Sequence, residues 1–118
     1  MEQADGIEII RDVVPDLDAR IDNYTVDTSE VDDELMALFI EQIQMNLDAI
    51  TAAMKIVDLE ELGRQAHSVK GMGGTAGLPE LSVLAEELEK AVKIGKVERV
   101  AALATALEKW FKQFIASR

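Results

Sequence analysis

Cysteine is absent from this chain, which excludes disulfides, thiolate nucleophiles and sulfur-ligated zinc. Histidine occurs once, at position 67, so a haem or metal site built on paired imidazoles is excluded as well. No apolar run approaches the roughly 18 residues of a membrane span, and the acidic opening lacks the basic start of a signal peptide. A cytoplasmic protein that does not enter the membrane is expected. Aromatic residues are few, one Trp, one Tyr and three Phe, and no basic stripe is interleaved with them, which disfavours nucleic-acid binding. Proline stands only at positions 15 and 79, leaving long stretches in which a helix can run unbroken.

Acidic residues are plentiful, giving a net charge of −11 over 118 residues. Residues 1–34 hold 12 acidic and 2 basic side chains, net −10, whereas residues 35–118 hold 11 and 10, net −1. The length suits one domain, able to bury about two thirds of its unfolded surface. Residues 32–118 read as that domain. Residues 1–31 read as an acidic lead-in, with a short helix over 6–14 stopped by Pro15 and a linker over 16–27. Composition does not decide whether that helix is solvated or docked.

From there the apolar residues recur at helical spacing. A first long helix should start from a cap within 28–32 and run to about Met54, burying Met36, Ile40, Ile43, Leu47, Ile50 and Met54. A second follows after about three residues, a loop short enough to force it back antiparallel. Pro79 suits the first turn of a third, which buries Leu81, Leu84, Ala85, Leu88, Ala91 and Val92 and ends at Gly95. A fourth buries Val100, Leu103, Ala104, Leu107, Phe111 and Phe114, with Trp110 on its flank. The five methionines and these aromatics read as core fillers. The expected fold is all-α: an antiparallel up-down-up-down four-helix bundle, with a possible short extra N-terminal helix.

His67 lies on the second helix. At about 100° per residue, Leu59, Leu62, Ala66, Val69 and Gly73 form the buried stripe, and His67 sits roughly 120° from its centre. The imidazole should face water. Gly63, Gly71 and Gly74 fall one or two turns away on the same face, and each helical glycine costs about 1 kcal/mol relative to Ala. A bare landing surface for another protein would account for them. Lys70 is one turn on, able to bring an ammonium to whatever the ring carries. Residues 62–79 contain no Asp or Glu, while Arg64 and Lys70 add positive charge, so a dianion on His67 should be welcome.

His67, two further residues, Lys70-Gly71 and then Gly77 six positions on resemble the signature of the histidine-containing phosphotransfer (HPt) domain family of bacterial two-component phosphorelays. The likeness extends over roughly residues 32–116, including the Asp-led entry Val57-Asp58-Leu59-Glu60-Glu61-Leu62 and the run Leu81-Ser82-Val83-Leu84-Ala85-Glu86-Glu87-Leu88-Glu89. It implies that His67 accepts a phosphoryl group from a receiver-domain aspartate and passes it to another receiver. Lys70 would support the phosphoryl charge, and Gly63, Arg64, Ser68, Gly71 and Gly74 would belong to the docking face. It further implies response-regulator receivers or a sensor histidine kinase as partners, a monomer, no cofactor of its own, Mg²⁺ supplied by the receiver, and no ATP-binding kinase activity in this chain.

Two other functions fit parts of the pattern. The phosphoacceptor domain of a chemotaxis-type histidine kinase has a similar Ala-His-Ser-x-Lys-Gly stretch and takes its phosphoryl group from an ATP-bound catalytic domain. A helical adaptor would bind a receiver without being phosphorylated, although the intact His67, Lys70 and Gly71 argue against it. Gly71-Met72-Gly73-Gly74 lacks the strand and the Gly-Lys-Ser/Thr ending of a phosphate-binding loop.

Overall fold

Asp32 and Asp58 start the first two long helices, the second of which carries the site's histidine. Asp32 accepts a hydrogen bond from the Leu35 N–H at 2.8 Å and Asp58 one from the Glu61 N–H at 3.1 Å, each satisfying a donor that a first helical turn leaves unpaired. A computed structural model describes residues 14–24 and 31–117. It contains α1 (Leu17–Arg20), a 3₁₀ turn (Ile21–Asn23), α2 (Asp33–Lys55), α3 (Leu59–Thr75), α4 (Pro79–Ile94) and α5 (Val97–Ala116). Among the described residues there is no strand, and no helix is long and apolar enough to cross a membrane.

The helices pack in sequence, α2 on α3, α3 on α4 and α4 on α5, with α5 returning to α2. The expected apolar stripes meet at the centre: Ile43, Leu47 and Ile50, then Leu62, Ala66 and Val69, then Leu81, Leu84 and Leu88, then Val100, Leu103, Leu107 and Phe111 are all buried. Burying one such side chain contributes about 1.5–3 kcal/mol, so this layer outweighs any surface ion pair in holding the bundle. Gly95 closes α4 in the left-handed region at φ 73°, which a residue without Cβ adopts at no steric cost. Trp110 is buried and stacks on Phe114 at 5.6 Å rather than lying on the flank. Met45 departs from the core expectation, being 60% exposed, because it follows the buried stripe of α2 by too large an angle to share it.

The α3–α4 contact is unusually close. The Ser82 hydroxyl accepts from the Gly74 N–H and donates to the Lys70 carbonyl, both at 2.7 Å, thus joining two backbone groups spaced as an intrahelical pair. A Cβ on Gly73 would come within 2.6 Å of the Ser82 Oγ, 2.9 Å of its backbone N and 3.0 Å of the Leu78 carbonyl oxygen. Helix propensity would favour Gly73→Ala by about 1 kcal/mol, but overpacking against backbone costs about 1–3 kcal/mol. Urea unfolding should show a net loss of up to about 2 kcal/mol.

Residues 14–24 correct the linker expectation for 16–27 as far as Tyr24. Val14 and Leu17 are buried to 1% and 0% exposure, and Arg20 pairs with Glu86 and Glu87 of α4. The apolar residues here are too few to show periodicity, yet two of them complete the core. The short helix read over 6–14 falls, apart from Val14, outside the described residues.

Candidate functional site

α3 carries His67 on its outer side with 69% of the side chain exposed, as the helical angle predicts. Its Nδ1 lies 2.9 Å from Glu89 Oε2, and Lys70 Nζ lies 2.7 Å from Glu89 Oε1. One carboxylate from α4 therefore bridges the two residues that the sequence pattern singled out. Burial by itself would raise the Glu89 pKa, but hydrogen bonds and charge from Lys70 and His67 outweigh it and leave the group below the ordinary carboxylate range. At neutral pH Glu89 is thus ionised and can only accept. The shared proton belongs to Nδ1, and Nε2, which carries the lone pair whenever the ring is neutral, has no hydrogen-bond partner among the described residues on this exposed side chain.

Glu89 falls within the family-like run of the third long helix expected from sequence, which gives it no role at the site, and its position corrects the expected charge there. The acid-free interval 62–79 does not describe what surrounds His67, because α4 places a carboxylate there from 22 residues away. Lys70 is not a free cation: its ammonium is held by Glu89 and its side chain is 26% exposed. Arg64 is 75% exposed and paired with Glu61. The signal that could have found Glu89 is the acidic run Glu86-Glu87 and Glu89 on the helix that packs against α3.

The glycines separate by surroundings. Gly71 has no atom within 4 Å of where a Cβ would stand, so the surface one turn beyond His67 is open. Ser68 is also exposed. A Cβ on Gly63 would meet Val92 Cγ1 at 3.3 Å, which makes this position part of the α3–α4 packing. Gly74 is buried, contrary to its place on an exposed face, because the Tyr24 backbone carbonyl lies 2.6 Å from where its Cβ would be. Helical angle alone could not show that α4 and residues 14–24 cover the flank that carries Gly63 and Gly74. Gly77 sits in the following loop at φ 82°.

Beside this centre, Tyr24 donates its hydroxyl to Glu86, which also receives Arg20. Burial, followed by that hydrogen bond and charge, pushes the Tyr24 phenol up to about 12 from 10.0. The Glu86 carboxyl is lowered: burial opposes this, but Tyr24 and Arg20 outweigh it. The two signs define a window. The Glu86 contribution is lost as pH falls through its depressed folded value, whereas the Tyr24 contribution is complete below about 10 and lost as pH rises towards about 12. Since the chain has one tyrosine, tyrosinate absorbance should give a single transition near 12; a midpoint near 10 would contradict this docking.

A family model described as Hpt domain matches residues 34–117. No curated protein and no solved structure matches the chain.

Proposed function

The chain belongs to the Hpt domain family, and from that premise we propose that it is a phosphorelay intermediate in which His67 takes a phosphoryl group from a receiver aspartate and yields it to another receiver. The observation that carries this reading is the pairing of an exposed Nε2 with an Nδ1 proton fixed by Glu89. The short connections between α2, α3, α4 and α5 support the antiparallel up-down-up-down order, which leaves His67 on the side of the bundle where a globular partner can reach it.

The step needs no further base. The Nε2 lone pair attacks phosphorus, the bond from phosphorus to the receiver's carboxylate oxygen breaks, and the carboxylate leaves with that electron pair. The ring becomes a phosphorylated imidazolium whose Nδ1–H still donates to Glu89, so the new positive charge meets a carboxylate already in place. Lys70, 2.7 Å from Glu89, needs only to exchange part of that contact for the phosphoryl oxygens. The return step reverses the same bonds. On this reading Mg²⁺ comes with the acidic pocket of the receiver, and Gly71, Ser68 and Arg64 give the partner a low surface on which to approach.

The test is the donor. The full chain is incubated with each phosphorylated receiver domain of the source organism and, separately, with an ATP-charged histidine-kinase catalytic core. Fast loading from a receiver supports the relay. Fast loading from the kinase core alone would instead assign the chemotaxis-type role, and binding without labelling would assign an adaptor.

A further inference from the structure

Resting on the relay reading, we infer that Tyr24 forms one rim of the surface on which the receiver lands, taking the place that the helix pattern gives to Gly74. Gly74 follows His67 by seven residues, so it lies about 10 Å along the helix axis and within about 20° of the same face. Even a small transient interface of roughly 500 Å² per partner extends about 12–13 Å from its centre. A partner centred on His67 therefore reaches this position. There the outermost atoms are not those of Gly74 but those of Tyr24, whose carbonyl and Cβ cover the glycine.

Tyr24 is also held in a manner suited to recognition. Its Cβ is over α3 and its hydroxyl is on Glu86 of α4, so the side chain crosses the α3–α4 groove. Lys70 and Glu89 cross the same groove further along, and Glu86 and Glu89 are one turn apart on α4. Arg20 fixes the segment from behind through Glu86 and Glu87, and Leu17 anchors it in the core. The result is a half-buried tyrosine, fixed at both ends, about two helical turns from the reactive imidazole. Aromatic residues held in this way lose little entropy on binding and supply a large share of interface energy.

The experiment compares two donors on the same full-length variants. Phosphoramidate, which releases ammonia as His67 is phosphorylated, reports the chemistry of the imidazole; the phosphorylated receiver that loads the wild type fastest reports chemistry plus docking. Tyr24→Ala removes the ring but keeps the backbone over Gly74. It should lower kcat/KM for the receiver about tenfold, mainly through KM, and change phosphoramidate labelling less than twofold. Tyr24→Phe should retain most of the receiver rate. Gly74→Ala, which drives its Cβ into the Tyr24 carbonyl, should mimic Tyr24→Ala while tyrosinate absorbance moves back towards 10, reporting release of the segment. An unchanged receiver rate in Tyr24→Ala would overturn the inference, as would an equal loss with both donors, which would place Tyr24 in the imidazole's chemistry instead. A wild type that phosphoramidate labels but no receiver loads would defeat the relay reading itself, together with the inference.

Discussion

His67→Gln is expected to leave the bundle folded and to abolish phosphoryl uptake from every donor. With one histidine in the chain, no other imidazole can substitute, and loss of a nucleophile commonly removes at least about 10³-fold of rate. Stability should change by no more than about 0.5 kcal/mol, since the side chain is mostly in water and Gln can still donate a hydrogen bond to Glu89. Circular dichroism and thermal unfolding check the fold, and radiolabel transfer checks the uptake. Retained uptake by a folded His67→Gln protein would remove His67 from the chemistry.

Glu89→Gln is the second large effect. The substitution is nearly isosteric, so packing on α4 survives, but the ionised acceptor is gone. Gln can offer either its oxygen or its amide hydrogens to Nδ1, and the ring is no longer restricted to the tautomer that exposes a lone pair at Nε2. Lys70 also loses its charge partner. Transfer should slow by about 10–100-fold, the scale seen when the carboxylate that orients a metal-ligating imidazole is removed. The loss should be similar with phosphoramidate and with a receiver, which distinguishes it from the Tyr24 variants. Because the Glu89 pKa is depressed below 4.5, the bridge in the wild type should persist as pH falls through the ordinary carboxylate range and fail only below it. Nδ1 donates in both the neutral and the protonated ring, so protonation of His67 does not itself break the contact. An unaltered rate in Glu89→Gln would show that the ring needs no orienting carboxylate.

Much of this was legible one residue at a time. A cap for α2 within 28–32, the role of Pro79 and Gly95, and the exposure of His67 follow from local chemistry and from the angle between successive side chains. The apolar stripes also identified the core layer without reference to any neighbour. What local reading could not give were the contacts between helices. Glu89 belongs to the site only because α4 runs beside α3, and the Gly74 face is closed only because Tyr24 returns to cover it. The acidic segment before α2 misled for a related reason. Its many carboxylates resemble those of a solvated linker, whereas Val14, Leu17 and Arg20 settle the matter by reaching the core and the acidic row of α4. Serine at 82 is similar: it reads as a polar interruption on an apolar face, and its purpose becomes visible only with the Lys70 carbonyl and the Gly74 amide beside it.

The most direct measurement of the central claim is to locate the phosphoryl group after loading from a phosphorylated receiver, by nitrogen and phosphorus NMR of the ¹⁵N-labelled chain. A phosphorus coupled to Nε2 of His67, with the Nδ1 proton retained, is the result expected from the Glu89 bridge. Phosphorus on Nδ1, or on any residue other than His67, would contradict it.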